Sequence, residues 1–315
     1  MNCLKLVSTD PFFNLAAEEY LLKKTAEDFL ILGINDPSVI IGKHQVAHRE
    51  TDTQFVTENG IPVIRRISGG GTVYHDYGNV NFSFILNSVR GTQVDFRKYT
   101  LPVIEFLASL KVNAELEGKN DLKVNGLKIS GNAEHVYRER VLHHGTLLFD
   151  ADLGKLRQAL RKDTSGYVTR AVASNPSHVT NLKGMVAGIR DAGEFMQIML
   201  EYFLGREGNS LFNLTPDEEK MIGSLAGSRY RTWEWDYAYG PEYVLNNSFG
   251  TGNCNYTCRI SVKDGIIREC EIEGSGPLAK AGIKITGARH MPEDMLRIFH
   301  QEKIKISWSD IFKFF

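Results

Sequence analysis

Apolar residues recur at intervals of three and four in several stretches of this chain, which is the spacing of a helix with one buried face. The first such helix begins at Pro11 behind the candidate cap Asp10, because proline suits the first helical position and an aspartate oxygen accepts from a free amide. A second helix covers about residues 97–110, a third follows Asp191, and a fourth follows the capping residue Thr215. The pattern therefore predicts helices dispersed among other elements.

Between the helices lie short apolar or alternating runs of the kind that form β-strands. They are Phe29–Leu32, Val39–Ile41, Pro62–Ile64, Val80–Phe84, Leu122–Ile129 and Val141–Phe149. Turn residues separate these runs, and the Asn125-Gly126 pair predicts a hairpin turn within one of them. Strands joined by hairpin-like turns, without regular strand–helix alternation, predict an α/β (α+β) domain in which helices flank a mixed, largely antiparallel sheet.

The composition changes near residue 233. Trp233 and Trp235 are two positions apart, so on a strand they share one face, and we expect them to pack rather than to bind a ligand. Residues 236–248 are rich in Tyr, Gly, Pro and Asn and have no period, which predicts a hinge-like connection.

The end of the chain has the pattern of a small separate unit. A turn at Lys263-Asp264-Gly265 joins two predicted strands, Thr257–Val262 and Ile266–Ile272, and helical spacing returns near the C-terminus. We therefore predict a small α+β C-terminal domain over residues 246–315, behind a larger domain over residues 1–243.

Composition limits the classes of function. The 37 basic and 38 acidic residues give a formal charge of −1, so no strong field favours nucleic acid or an anionic membrane. No apolar stretch approaches the roughly 20 residues that span a bilayer, and the N-terminus turns polar too early for a signal peptide. Four cysteines in 315 residues, without zinc-ligand spacing, favour a reducing cytoplasm over a disulfide framework.

A polar run rich in glycine is the most specific feature of the sequence. Arg65 and Arg66 lead into the triplet Gly69-Gly70-Gly71, and Thr72–Asp76 follows. Glycines let the backbone approach a ligand, successive amides in such a turn bind anions, and an arginine fork suits a phosphate. The run therefore predicts a nucleotide or acyl-phosphate site; the alternative is a tight hairpin with the arginine pair on the surface, where Arg65 pairs with a carboxylate. It matches neither the P-loop nor the G-x-G-x-x-G spacing.

Two further polar clusters lie at predicted strands. Lys119-Asn120-Asp121 precedes Lys128-Ile129-Ser130-Gly131, and His143-His144-Gly145-Thr146 follows. Each of the two clusters sets a cation or an imidazole close to glycine, where the backbone can approach a ligand. Because His143 and His144 are adjacent on a strand, they face opposite sides, so at most one of them is expected to line a site.

On these motifs the chain resembles the lipoate–protein ligase family, in particular the bacterial lipoate–protein ligase A type with a C-terminal accessory domain. The matching elements occur in family order over essentially the whole length. They are Phe12–Glu19, Ile41–Gln45, Arg65–Asn79, Lys119–Asp121, Lys128–Gly131, His143–Thr146, Val179–Leu182 and Trp233–Trp235. The resemblance implies a biotin/lipoate ligase-like catalytic domain over residues 1–243, followed by the accessory domain.

The same resemblance implies a reaction in two steps. Lipoate and MgATP give lipoyl-AMP and pyrophosphate, and the lipoyl group then passes to one lysine of a carrier. ATP and Mg²⁺ are the implied cofactors, and lipoate is the substrate. The implied partners are the apo lipoyl domains of 2-oxoacid dehydrogenase E2 subunits and the glycine cleavage H protein, with no nucleic acid and no membrane. We expect a cytoplasmic monomer.

The family's residue roles fall on the motifs above. Lys128 is the implied catalytic residue, which bridges the lipoate carboxylate and the α-phosphate, and Asp121 is the implied Mg²⁺ ligand. The implied nucleotide and lipoyl-AMP site comprises Arg66, Ser68, Gly70, Gly71, Thr72, Val73, Tyr74, His75, Asn79, Asn120, Lys128, Ser130, Gly131, His144 and Gly145. We expect an apolar pocket for the lipoate tail, whose lining the sequence does not identify.

Other functions stay open on the sequence. A lipoyltransferase that uses preformed lipoyl-AMP, with weak or no adenylation, would share the transfer residues. A binding or sensing protein without turnover is disfavoured by Lys128 and Asp121. A cysteine-dependent octanoyl transferase needs a thiolate nucleophile in the catalytic domain, but the only cysteine before residue 254 is Cys3, outside every motif.

Overall fold

The structure is a computed structural model that describes residues 1–89, 95–161 and 163–315. Its strands are β1 (Asn2–Lys5), β2 (Phe29–Gly33), β3 (Ser38–Ile41), β4 (Val63–Arg65), β5 (Val73–His75), β6 (Asn79–Asn87), β7 (Glu115–Glu117), β8 (Asp121–Val124), β9 (Leu127–Tyr137), β10 (Arg140–Leu148), β11 (Tyr167–Thr169), β12 (Ser210–Phe212), β13 (Tyr243–Thr251), β14 (Cys254–Lys263) and β15 (Ile266–Gly274). Its α-helices are α1 (Pro11–Lys24), α2 (Ala47–Glu50), α3 (Thr53–Glu58), α4 (Phe96–Ser109), α5 (Leu153–Ala159), α6 (Ala192–Leu204), α7 (Pro216–Leu225), α8 (Gly282–Ile285), α9 (Pro292–Gln301) and α10 (Trp308–Ile311).

A large mixed sheet organises the chain. Within the described residues, eight strands lie in the order β12-β1-β2-β6-β10-β9-β8-β7. Strand β1 pairs in parallel with β2 and β12, and the other neighbours pair antiparallel. The predicted fold class, in which helices flank a mixed and largely antiparallel sheet, is confirmed. The predicted turn at Asn125-Gly126 lies between β8 and β9, and both of its residues have positive φ.

Two smaller sheets complete the strands of the described residues. In the first, β4-β3-β5, strand β3 pairs in parallel with β4 and antiparallel with β5. Residues 66–72, named here the glycine loop, connect β4 to β5. The second sheet, β11-β13-β14-β15, contains the predicted C-terminal hairpin as β14 and β15.

Capping residues start three of the helices where the sequence predicts them. The carboxylates of Asp10 and Asp191 each accept from a backbone amide in the first turn of their own helix, at 3.1 and 2.9 Å. Thr215 forms a capping box with Glu218. Each of these bonds satisfies an amide that has no partner inside the helix.

The segment around residue 235 differs from the prediction of a strand. Trp233 and Trp235 do not share a strand face, because Glu234–Ala238 forms a short helical turn that begins directly after Trp233. Trp235 is buried, and its indole donates to the carbonyl of Arg65 at 2.7 Å. Two aromatic residues two positions apart are too short a pattern to identify a strand.

Residues 236–248, expected to form an aperiodic hinge, include the start of β13. Tyr243, Leu245 and Phe249 are buried along this strand, which pairs with β11 on one side and β14 on the other. Strand β13 therefore runs through the predicted boundary at residues 243–246. The division of the chain into two domains stays a prediction.

Both faces of the large sheet are covered by helices. On one face, Phe82 and Phe84 of β6 belong to the same apolar cluster as residues of α4 and α6. On the other face, Ile31 and Ile85 belong to a cluster with residues of α1. No helix in the described ranges is both long enough and apolar enough to cross a bilayer.

Replacement of Phe106 tests the packing of α4 on the sheet. Phe106 is fully buried and contacts the ring of Phe195 at a centroid distance of 5.4 Å. We expect Phe106→Ala to lower the free energy of unfolding by about 3–5 kcal/mol, because it leaves a cavity. The control is Leu101, on the exposed face of the same helix. We expect Leu101→Ala to change the free energy of unfolding by about 0.5 kcal/mol or less. Urea denaturation measures both; equal losses would contradict this packing.

Candidate active site

A cavity of about 450 Å³ lies between the glycine loop, helix α1 and the large sheet. This volume is in the range of cavities that hold small-molecule ligands. Most of the residues assigned by resemblance line it, namely Arg66, Gly70, Gly71, Thr72, Val73, His75, Asn120, Asp121, Lys128, Gly131, His144 and Gly145. The fold thus brings together the three polar clusters of the sequence.

Part of the cavity wall is apolar. Leu6, Leu15, Ile31 and Ile40 line this part and belong to one hydrophobic cluster under α1. They come from four separate segments of the chain, so no local pattern in the sequence identifies them. Such a wall suits an acyl chain, which has almost nothing to hydrogen-bond.

Two glycines fix the shape of the glycine loop. Gly70 has a φ of +84°, in the left-handed region that favours glycine. A Cβ on Gly42 would overlap the carbonyl oxygen of Gly70, so the turn that follows β3 packs directly against the loop. Within the described part of the chain, the amides of Gly69, Gly70 and Gly71 have no hydrogen-bond acceptor. They are therefore available to an anion.

Arg66 is buried, and its guanidinium bonds to the chain itself. Nη2 donates to the carbonyls of Gly69 and Gly71 at 2.5 and 2.7 Å, Nη1 to that of Ile40 at 3.1 Å, and Nε to the Ser68 hydroxyl at 2.9 Å. Burial lowers the pKa of Arg66 to about 10, so the group is charged at neutral pH. These contacts shape the glycine loop; Arg66 also lines the cavity, and its role as a phosphate fork stays a prediction.

Arg65 faces away from the cavity. It is fully buried, and its side chain donates to the carbonyls of Gly42, Lys43, Gln45, Trp235 and Asp236 at 2.7–3.1 Å. Arg65 ends β4 and Arg66 directly follows it, and neighbouring residues of an extended chain point to opposite sides, which separates the two side chains. The alternative of a surface ion pair for Arg65 is therefore wrong, and Arg65 joins the turn after β3 to the helical turn at Glu234–Ala238.

A hydrogen-bonded chain of side chains runs behind the glycine loop. Ser68 Oγ lies 2.6 Å from His144 Nε2, His144 Nδ1 lies 2.9 Å from Glu18 Oε2, and Ser83 Oγ donates to Glu18 Oε1 at 2.5 Å. Because the Glu18 carboxylate can only accept, His144 Nδ1–H donates to it, and Nε2 of a neutral ring then accepts from the Ser68 hydroxyl, which also accepts from Arg66 Nε–H. The sequence predicted no role for Glu18, although this residue lies on the buried side of α1, within the motif Phe12–Glu19.

His75 presents a buried donor to the cavity. Asn14 donates to Asn35 Oδ1 at 2.8 Å, and Asn35 Nδ2 lies 2.9 Å from His75 Nδ1, which must accept. The proton of the neutral ring is then on Nε2, which has no hydrogen-bond partner. Burial, together with the positive charge of Arg66, lowers the pKa of His75 to about 3. His75 is thus a neutral donor for a ligand oxygen.

Lys128 and Asp121 form an ion pair at the cavity wall. Lys128 Nζ lies 2.8 Å from Asp121 Oδ1, and both side chains are about one-fifth exposed. A Cβ on Gly131 would come within 3.1 Å of Lys128 Cε, so the glycine makes room for the lysine side chain. The side-chain nitrogen of Asn120, which also lines the cavity, donates to the backbone carbonyl of Asn132 at 2.8 Å. An ammonium beside a single carboxylate can contact two anions at once.

Four assigned residues do not line the cavity. Tyr74 follows Val73 on β5, so it faces the other side and packs in the cluster of Val39 and Val63. Ser68 and Ser130 are fully buried, and Asn79 is also buried. Ser68 binds His144 and Arg66, Ser130 accepts from Asn132 at 3.2 Å, and Asn79 donates to Asn81 at 2.8 Å. Ser68, Ser130 and Asn79 thus bond to residues of the wall, and the assignment of all four residues to the ligand site stays a prediction.

The two adjacent histidines point to opposite faces of β10, as the alternation predicts. His144 lines the cavity, whereas His143 is fully buried on the other face. His143 Nδ1 lies 2.8 Å from Glu134 Oε1, and its ring stacks on Tyr99 at 5.0 Å. His143 is therefore a satisfied core histidine.

The comparisons with known proteins agree on one family. The model of the lipoyl protein ligase A/B catalytic domain family matches residues 10–204. The chain is 38% identical over 270 residues to lipoate-protein ligase LplJ of Bacillus subtilis, and the aligned region covers 84% of this chain and 82% of that protein.

Two solved structures give the same picture. One is a bi-partite lipoate protein ligase described with its E2 lipoyl domain from Thermoplasma acidophilum, with a TM-score of 0.63, 26% identity, and coverage of 75% of this chain and 95% of that one. The other is lipoate-protein ligase A bound with ATP, with a TM-score of 0.62, 27% identity, and coverage of 75% and 98%.

The tautomer of His75 has a direct test. Folded His75 has a pKa of about 3, well below the value of about 6.5 for an exposed histidine. The unfolded chain therefore binds more protons between these values, so His75 lowers the stability of the fold as the pH falls below about 6.5. We expect the side-chain ¹⁵N signals of His75 to remain those of the neutral Nε2–H form down to pH 5. Titration of His75 near pH 6.5 would contradict the buried network.

Proposed function

Because this chain belongs to the family of lipoyl protein ligase A/B catalytic domains, we propose that it is an ATP-dependent lipoate–protein ligase. It activates lipoate as lipoyl-AMP with release of pyrophosphate and then transfers the lipoyl group to a lysine of a lipoyl carrier domain. The observation that carries the proposal is the pair of Lys128 and Asp121, which shares one cavity with the glycine loop and an apolar wall.

In the first step, an oxygen of the lipoate carboxylate attacks the α-phosphorus of ATP. The bond from this phosphorus to the oxygen of the β-phosphate breaks, and pyrophosphate leaves. Repulsion between carboxylate and phosphate opposes this approach. The ammonium of Lys128 offsets the repulsion by donating to both anions, while the amides of Gly70 and Gly71 stabilise negative charge on the phosphate.

In the second step, the ε-amine of the carrier lysine attacks the carbonyl carbon of lipoyl-AMP. The new amide bond forms, the bond to the phosphate oxygen breaks, AMP leaves, and the amine proton passes to solvent. Lys128 assists again, because its charge stabilises the oxyanion that develops on the carbonyl and the AMP that departs. The apolar wall of Leu15 and Ile31 holds the acyl chain during both steps.

Asp121 is the proposed protein ligand of Mg²⁺. No cluster of His, Cys, Asp or Glu suited to a metal ion occurs among the residues that the structure describes. Mg²⁺ at nucleotide sites takes one or two carboxylates and fills its remaining positions with phosphate and water oxygens, and the donor set here fits that requirement. When bound, the ion would neutralise charge on the phosphates.

The proposed partners follow from the second step. The carriers are apo lipoyl domains of 2-oxoacid dehydrogenase E2 subunits and the glycine cleavage H protein, and the T. acidophilum ligase described above is paired with an E2 lipoyl domain. We propose that the protein acts as a cytoplasmic monomer, with lipoate and ATP as its small-molecule ligands.

Two measurements on the purified protein test this function. Pyrophosphate release is followed with lipoate and MgATP, and the mass of an added apo lipoyl domain is then determined. Release together with a lipoyl mass gain is expected. A mass gain only when lipoyl-AMP is supplied would identify a lipoyltransferase instead, and neither signal would contradict both.

Lys128→Ala tests the role of the ion pair. We expect lipoate-dependent pyrophosphate release to fall by about 100- to 1,000-fold, because a preorganised charge at the reacting groups is lost. Lys183→Ala is the matched control, since Lys183 pairs with Asp150 at 2.6 Å on the exposed surface and should retain activity. Thermal melting of both variants checks the fold. A folded Lys128→Ala variant with normal activity would rule out this assignment.

A further inference from the structure

One motif of the sequence has no part in the chemistry described so far: Ile41-Gly42-Lys43-His44-Gln45. Its last residue, Gln45, is fully buried and does not line the cavity. Its Oε1 accepts from the amide of Gly42 at 2.7 Å and from the hydroxyl of Thr72 at 2.9 Å. The Gly42 amide can only donate, so the oxygen of the Gln45 amide must face it, and the nitrogen must face the opposite way.

The nitrogen of Gln45 connects to a second segment. Nε2 donates to Ser174 Oγ at 3.1 Å, and Ser174 Oγ also accepts from the amide of Thr72 at 2.9 Å. Ser174 donates its own proton to Glu50 Oε2 at 2.5 Å. Gln45, Thr72 and Ser174 thus form a closed ring of hydrogen bonds, in which both the amide and the hydroxyl of Thr72 are fixed.

This ring joins three segments that meet at one side of the cavity. Thr72 ends the glycine loop, residues 172–175 contact the loop, and the turn after β3 packs against Gly70. Three of the four members of the apolar wall, Leu6, Leu15 and Ile31, come from segments outside this ring, whereas Ile40 lies on β3, before the turn. Because Gln45 bonds to Gly42, Thr72 and Ser174, we expect a disturbance at Gln45 to act mainly on the glycine loop.

We infer that Gln45 is a positioning residue for the nucleotide half of the site: it holds Thr72 and the segment 172–175 as one hydrogen-bonded unit, and so sets where the α-phosphate meets the glycine loop. The inference rests on the proposed function, because it gives the glycine loop the role of receiving ATP. Gln45 does not touch the reacting atoms. Its contribution is a fixed loop geometry, and small displacements of a reacting group are known to reduce rates strongly.

Gln45→Leu removes the ring while conserving approximate side-chain size. We expect kcat/KM for ATP in pyrophosphate release to fall roughly 10- to 100-fold, and ATP binding measured by calorimetry to weaken. Binding of lipoate alone should match the wild type, because the apolar wall is unaffected. A residue that only supported the fold would weaken both ligands together. Gln54→Leu is the matched control, since Gln54 is exposed on α3 and its side chain donates to Glu58 of the same helix, and it should behave as the wild type.

Ser174→Ala tests the same ring from its other side. It should show the same split, with weaker ATP binding and unchanged lipoate binding, and it serves as the primary test if Gln45→Leu does not fold. If both residues act through one ring, the double variant should lose little more than the worse single variant, because contacting residues in one network are not additive. Additive losses would overturn the inference.

Failure of the inference and failure of the proposed function give different results. Absence of pyrophosphate release from the wild-type protein would contradict the proposed ligase, and the calorimetric comparison of ATP and lipoate would then still decide the role of Gln45. An active wild type together with normal ATP binding by Gln45→Leu, or with equal loss of ATP and lipoate binding, would overturn the inference alone.

Discussion

The guanidinium group of Arg66 is buried, and no carboxylate of the described residues bonds to it. A buried charge is tolerated only where polar groups surround it, and here they are the carbonyls of Ile40, Gly69 and Gly71 with the Ser68 hydroxyl. Those carbonyls can converge on one group only if the glycine loop curves back on itself, which the left-handed conformation of Gly70 permits. The shape of the cavity thus depends on the solvation of one charge by the loop.

The neighbouring Arg65 extends this constraint to the rest of the molecule. It is solvated in the same manner by carbonyls, but from the turn after β3 and from Trp235 and Asp236. The segment that leads into the C-terminal sheet is therefore tied to the strand that precedes the glycine loop. Around the cavity, the neutral ring of His75 and the positive groups of Arg66 and Lys128 give a wall suited to anions, with Glu18 satisfied by His144 and Ser83.

Local patterns predict the elements of this protein better than they predict its site. Helix caps at Asp10, Asp191 and Thr215 and the turn at Asn125-Gly126 follow from nearest neighbours, and they were predictable. That the side chain of Tyr74 packs away from the cavity could not be predicted, because a motif does not reveal which of two adjacent strand residues faces inwards.

The residues whose roles were not predicted from the sequence were missed for a different reason. The roles of Glu18 and Gln45 depend on partners more than 20 residues away, His144 for the first and Thr72 and Ser174 for the second. The order of motifs identifies such residues as part of a family pattern, but only the fold shows what they contact.

A crystal structure with lipoate and a non-hydrolysable ATP analogue tests the central claim most directly. If Arg66 shapes the loop, its guanidinium will still donate to the carbonyls of Gly69 and Gly71, and the α-phosphate will lie against the amides of the glycine loop with Lys128 nearby. A guanidinium that has left those carbonyls and bonds to the phosphate would contradict the account.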